Sequence, residues 1–359
     1  MVNLSAIPAE AYNIEKSWVE RGDYVAPNRN VVVSEEGLKT FLYWIHERQS
    51  IWYKREVLGL EAPWTNDEVF QTFRFTNPIR DIDKVTIYYR ENILKQIEDT
   101  THSKINILLN TMIFRIFTNP TVWEFIGNLD YKDPTAKAKV DSAYHTTIDF
   151  AKSGGIIFTG AYMVNPMRAM MTMYPNYHSS KFPKVDNAFR LIHHLIDNAE
   201  DIYQRSVVEA KDMTEQLKVF KTIPGIGSFT AYEWACDLCL AERYEGIKMV
   251  DWDDNSATNV GPGAKRGLDQ IYINRGNFTY MNAILHLASI TEYYFEKYGY
   301  AETMKWPDGV SEFVLRTVEH SCCEVGKYQK VKKGLGRPRQ RFGKGKGEAI
   351  NGEVGELPV

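Results

Sequence analysis

The sequence predicts a mainly α protein. Apolar residues recur at helical spacing through most of the chain, and alternating, strand-like runs are scarce. The periodic segments are joined by short Gly, Pro and Asn turns, as helices are in helical folds.

Each element has its own signal. "SEEGLKTFLYWIHERQSIWYKREV" sets Leu38, Phe41, Leu42, Ile45 and Trp52 on one stripe, with Ser34 as the expected N-cap. In "PWTNDEVF", Thr65 is placed to cap the helix that follows. "KINILLNTMIFRIF" is apolar nearly all round, which predicts a buried helix. Pro120 suits the first turn of the helix "PTVWEFIGNL". "DPTAKAKVDSAYHTTIDFAKSGG" runs to a glycine stop, and "GGIIFTGAYMV" has room for one strand. Met167 to Pro183, rich in Met and Tyr, reads as a long loop. "KVDNAFRLIHHLIDNAEDIYQRSVV", "DMTEQLKVFKTI" and "NFTYMNAILHLASITEYYFEKYG" return to the helical pattern. No internal repeat is present.

At 359 residues, 44% hydrophobic and 25% charged, the chain has the composition of a globular protein. No run approaches the ~20 apolar residues of a membrane span, and the N-terminus has no signal-peptide pattern, so a cytoplasmic location is expected. Net charge is −3, unevenly placed. Nine Lys/Arg and no Asp/Glu fall between 327 and 346, leaving 34 basic and 46 acidic residues elsewhere, a net of −12. The expected organisation is a helical region over 1–326, with room for two subdomains and a cleft between them, and a basic, flexible tail over 327–359. Such a tail suits a polyanion or is simply a solvated terminus.

Two glycine turns carry the chemistry. "IPGIG" at 223–227 has the form of a helix-hairpin-helix turn. Gly225 and Gly227 permit a tight turn, and the amides of Ser228 and Thr230 open a helix whose N-terminal dipole favours a DNA phosphate. The second turn, "NVGPGAKRGL", sets Gly261 and Gly263 beside Lys265 and Arg266 at a helix start, an arrangement suited to pyrophosphate. It is no Walker loop, because GxxxxGK[ST] is absent. Each turn equally suits an ordinary helix junction. Asp251, Asp253 and Asp254 lie between them. Cys236 and Cys239 form a CxxC inside a helical segment, and Cys322 and Cys323 are adjacent; buried thiols fit better than a metal site.

"PWTNDEVFQTFRFTNPIRDID" adds Trp64, Arg74, Asn77, Arg80 and Asp81, with Pro78 interrupting any shared helix face. "FTGAYMVNP" adds Tyr162, and "VEHSCCEVGKY" adds Glu319, Glu324 and Lys327.

"IPGIGSFTA" followed by Asp251 resembles the helix-hairpin-helix superfamily of DNA base-excision glycosylases. Phe229 stands where lyase-type members carry lysine, which argues against Schiff-base chemistry there. "PWTND…RFTNPIRDID", "FTGAY", "IPGIGSFTA", "GPGAKRGL" and "VEHSCCEVGKY" occur in this order. As a set they are similar to the alpha-glutamyl/putrescinyl thymine pyrophosphorylase family of phage thymine hypermodification. The resemblance implies a helix-hairpin-helix DNA glycosylase-like helical fold. It also implies an amino acid or polyamine:DNA transferase. A kinase first pyrophosphorylates 5-hydroxymethyluracil in DNA, and the family member then replaces pyrophosphate with an amine. The partners are DNA carrying a modified thymine and a free amino acid or putrescine; no metal or other cofactor is expected.

On that reading Asp251, Asp253 and Asp254 are the candidate carboxylates, with Asp251 first as general base. Gly261, Gly263, Lys265 and Arg266, then Arg74 and Arg80, hold pyrophosphate. Trp64, Asn77, Tyr162, Phe229 and Trp252 form the base pocket, since base chemistry requires the base to leave the stack. An amino-acid donor would also need a carboxylate site, for which Arg74, Arg80 and Arg168 are available. The alternatives are a glycosylase excising a modified thymine and a non-catalytic DNA-binding module.

Overall fold

The computed structural model describes residues 1–96, 98–159, 173–174, 177–178, 181–310, 313–336, 341–342 and 349–350. It is mainly helical. In chain order the helices are α1 Lys16–Glu20, α2 Glu35–Trp52, α3 Glu68–Thr72, α4 Lys84–Asn92, α5 Thr101–Phe117, α6 Pro120–Ile126 and α7 Ala136–Lys152. They continue as α8 Pro183–Asp197, α9 Ala199–Tyr203, α10 Met213–Phe220, α11 Ser228–Glu245, α12 Pro262–Ile271, α13 Tyr280–Lys297 and α14 Leu315–Lys332. Short 3₁₀ and π turns lie among them, and there are four short strands among the described residues: β1 Val31–Val33 pairs antiparallel with β2 Tyr272–Arg275, and β3 Arg341–Phe342 with β4 Ala349–Ile350.

Local signals explain most starts and stops. The Ser34 side chain accepts from the Gly37 amide at 3.0 Å, capping α2. Pro120 is the first residue of α6. α7 is followed by Gly154 at φ +93°, a conformation that favours glycine. Thr65 is not the cap of α3. Asp67 is, accepting from Val69 N at 2.8 Å and Phe70 N at 3.3 Å, while the Thr65 hydroxyl bonds to Glu47 and to the Asp67 amide. No strand forms in residues 154–159, the described part of the segment with room for one; the rest of that segment lies outside the described residues. α14 runs to Lys332, so Lys327, Lys330 and Lys332, read as tail from sequence, are helical.

The chain divides into two compact units. The first comprises Met1–Asp83 with the described residues from Asp254 onward; the second is built from Lys84–Asp253. In the first, α2, α12, α13 and α14 enclose a core that includes Phe41, Trp44, Phe70, Phe75, Leu268 and Tyr328. An N-terminal strap closes it. Trp18, 1% exposed, donates its indole N–H to Asn255 O at 2.8 Å. Asn13 N bonds to Ser289 O at 2.9 Å, and Asn282 Nδ2 to Asp23 O at 2.7 Å. α12 and α14 pack exceptionally closely. A Cβ on Gly267 would lie 2.1 Å from Cys322 O, and one on Gly263 would lie 2.2 Å from Cys323 Sγ.

In the second unit α5 lies against α8, α9 and α11, and α10 leads through the turn at 221–227 into α11. Phe117 contacts Phe189, and Phe220 meets Trp234 edge-on. Arg115 of α5 and Asp237 of α11, both almost wholly buried, form a two-pronged ion pair.

Candidate functional site

The second unit carries the first glycine turn. Gly225 (φ +80°), Gly227 and Ser228 are exposed, and Thr230 is half-buried. Gly227 is the N-cap of the 18-residue α11, and no side chain caps it. The first amides of a long helix therefore meet solvent beside an open turn, a geometry suited to an anion. Phe229 is 45% exposed on the same first turn. Asp251 lies in the irregular segment between α11 and α12. It is exposed and ion-paired with Lys248 Nζ at 2.7 Å. Asp253 is also exposed, whereas Asp254 is buried, and the division between the units falls between these two residues. Trp252 is half-buried; its carbonyl accepts from Cys239 Sγ at 3.6 Å.

The second glycine turn, in the first unit, has a structural reason that needs no ligand. Gly261 is the N-cap of α12, and its amide bonds to Asn259 O at 2.8 Å. Gly263 and Gly267 are bare because α14 occupies the space where a Cβ would stand. The two cations face different neighbours. Lys265 Nζ lies 5.3 Å from the Tyr280 ring centroid, in a group with Arg275 and Asp269. Arg266 acts on the Cys323 thiol, which burial pushes up to about 11.

A group of cations gathers where α2, the segment 73–83 and α14 meet. Arg48 of α2 is 7% exposed and donates Nε to Phe75 O at 2.8 Å. Its buried Nη1 has no hydrogen-bond partner among the described residues. Burial, with Arg55 and Arg74 nearby, pulls its pKa down to about 10 against the opposing pull of Asp83 and Glu324. Burial and Arg55 bring Arg74 to about 10 as well. Arg80 is ion-paired with Asp83. On α14, burial and the cations Arg80, Lys327 and Arg316 hold His320 well below the usual imidazole range, so it is neutral. Lys327 pairs with the buried Glu324. Burial is the larger cause of both downward shifts and the neighbouring cations the smaller, and an entering anion would favour the charged guanidinium groups against both.

Arg74 and Arg80 were anticipated from sequence; Arg48, Arg316 and His320 were not. The missed residues had a signal. Arg316, His320 and Glu324 recur every four residues, and Arg48 interrupts the apolar face of α2. Arg74, Asn77 and Asp81 share no helix, because α3 ends at Thr72 and Pro78 intervenes. Asn77 is a brace and no pocket wall: it is 5% exposed and donates Nδ2 to Asp83 Oδ1 at 2.9 Å. Tyr162 and Arg168 lie outside the described residues.

Trp64 lines a cleft of 490 Å³ with Tyr43, Glu47, Lys54, Thr65 and Asp67. Its indole N–H is held by Leu60 O at 2.6 Å, and the Arg55 guanidinium lies 5.5 Å from its ring centroid. Among the described residues no group of three or more His, Cys, Asp or Glu could hold a metal ion, and no helix is long and apolar enough to cross a membrane.

Comparison with known proteins places this architecture. The family described as "5-hmdU DNA kinase, helical domain" matches residues 35–335. A 5-hmdU DNA kinase of Bacillus phage SP10 is 34% identical over 292 residues, covering 80% of this chain and 44% of that protein. The chain thus spans less than half the length of this relative. No solved structure matches.

Proposed function

We propose that this chain, which belongs to the 5-hmdU DNA kinase helical-domain family, replaces the pyrophosphate of pyrophosphorylated 5-hydroxymethyluracil in DNA with an amine. The relative is named for the kinase step, and on this reading the helical domain acts after it. The carrying observation is a group of cations, Arg48 and Arg316 buried, Arg74 and Arg80 half-buried and Lys327 exposed, with the buried Nη1 of Arg48 lacking a hydrogen-bond partner among the described residues, which suits a departing polyanion. We assign pyrophosphate there, in preference to the Lys265–Arg266 turn. In the reaction the bond from the 5-methylene carbon to the pyrophosphate oxygen breaks, and pyrophosphate leaves with the electron pair. The incoming ammonium gives up one proton to a base, and the lone pair this frees forms the carbon–nitrogen bond. Preorganised cations stabilise charge that develops as the leaving group departs. Asp251, Asp253 and Asp254 are the proposed carboxylates, with Asp254 the buried one. The exposed turn at 225–230 is the proposed DNA-backbone contact, in a helix-hairpin-helix, glycosylase-like fold that receives a flipped base, with Phe229 and Trp252 available to stack on it.

The test supplies pyrophosphorylated hydroxymethyluracil DNA and a panel of amines, with mass spectrometry of the released nucleosides. An amine adduct is expected, and Arg48→Met is expected to slow its formation about 100-fold or more, the scale on which losing one charge-stabilising donor acts. Absence of any adduct across the panel rejects the reading. Abasic sites in its place would identify excision.

The DNA contact makes a separate prediction of opposite signs. Ser228→Asp puts negative charge at the positive end of α11 and is expected to stabilise the helix by about 0.3–1 kcal/mol. The same charge is expected to weaken DNA binding roughly tenfold at low salt, since it opposes a phosphate. Thermal melts and fluorescence anisotropy read the two effects; unchanged anisotropy removes the turn from the DNA interface.

A further inference from the structure

The cleft beside the cationic cluster has the opposite chemistry. Tyr43 and Glu47 are one turn apart on α2, and Asp67, the α3 cap, faces them. Asp67 is fully engaged: it caps α3 with one oxygen, and the other accepts from Tyr43 at 3.0 Å and Tyr328 at 2.6 Å. Those two hydroxyl protons are therefore already committed. Glu47 accepts one hydrogen bond among the described residues, from Thr65. A carboxylate has about four acceptor positions, so Glu47 retains capacity. The one cation in the lining, Lys54, donates to Trp64 O at 2.8 Å. Asn66 and the remaining N–H groups of Lys54 are the other donors of the lining; two carboxylates face the one ammonium, and the walls include the Trp64 and Tyr43 rings. Such a wall receives a compact cation bearing several N–H donors.

We infer that the Tyr43–Glu47–Trp64–Asp67 cleft binds a primary ammonium group, with Glu47 as its main acceptor. The volume, 490 Å³, accommodates a small molecule. Glu47 and Arg48 are neighbours in α2, and Glu324 and Tyr328 lie one turn apart in α14, so the same two helices serve both regions. As the nucleophile's site, this cleft rests on the amine-substitution reading; its preference for an ammonium rests on its own lining.

Calorimetric titration of the full chain, without DNA, with putrescine and separately with glycine tests the assignment. Saturable binding of at least one is expected, weakened about tenfold or more by Glu47→Gln, whose side-chain oxygen can still accept from Thr65. Binding of putrescine alone assigns a polyamine; binding of glycine assigns an amino acid. No binding of either, or affinity unchanged in Glu47→Gln, overturns the site. A second measurement needs no charge variant. The indole N–H resonance of Trp64, identified by its loss in Trp64→Phe, is expected to shift during titration of the wild-type chain, and a stationary resonance overturns the site. Binding without adduct formation faults the transfer reading alone. Adduct formation with an unchanged amine KM in Glu47→Gln faults the cleft alone.

Discussion

Replacing Asp237 by alanine is expected to destabilise the second unit by about 3–5 kcal/mol, the range for breaking a buried ion pair from one side. The reason is the partner left behind. Arg115 is 1% exposed and Asp237 wholly buried, and the guanidinium meets both carboxylate oxygens through Nε and Nη2. Without the carboxylate, Arg115 keeps a full charge in a place water does not reach, beside the rings of Tyr89 and Phe114. Urea denaturation followed by circular dichroism measures the loss. The double variant Arg115→Met, Asp237→Leu is expected to recover much of it, because removing both charges removes the desolvation cost as well. A single variant as stable as wild type would mean the site rehydrates.

Gly267→Ala is expected to cost about 1–3 kcal/mol or more, the scale of overpacking a filled interior. Its new methyl group would meet the backbone carbonyl of Cys322 at 2.1 Å, and α12 and α14 would have to separate. A carbonyl in a helix has no rotamer through which to yield. Gly263→Ala presses on the Cys323 side chain, which can turn, and should cost less. Gly261→Ser is the control: nothing lies within 4 Å of the new Cβ, and serine is a favoured N-cap, so stability should be unchanged or slightly higher. Thermal melts of the three variants rank them. Equal effects at 261 and 267 would show that the glycines share a role that packing does not explain.

These glycines show why the sequence was only partly legible. "GPGAKRGL" has the same letters whether its glycines line a ligand or admit a helix, and the deciding residues, Cys322 and Cys323, lie more than fifty positions away. Helix starts were readable where Ser34 and Pro120 act within a turn of themselves. Thr65 misled for the opposite reason: Glu47, distant in sequence, takes its hydroxyl, and the cap passes to Asp67. β1 and β2 are three and four residues long and pair across most of the chain, so neither shows a strand period of its own. Half of the cationic cluster was visible, since Arg74 and Arg80 stand in a dense polar motif. Arg48, Arg316 and His320 were read as parts of helices, and only packing collects them.

The N-terminal strap separates two meanings of the word domain. The stretch shared with the family begins at residue 35, the second residue of the α2 start signal. Physically, the first unit begins earlier. Trp18 fills a closed site and holds the Asn255 carbonyl, while the Asn255 side chain accepts from the first amide of α14, Leu315 N, at 2.7 Å. The start of the helix that carries Arg316 and His320 is thus steadied by residues outside the shared stretch. What is inherited as a sequence and what folds as a body have different edges here, and a chain trimmed to the inherited edge would lose the buttress behind its own cation-bearing helix.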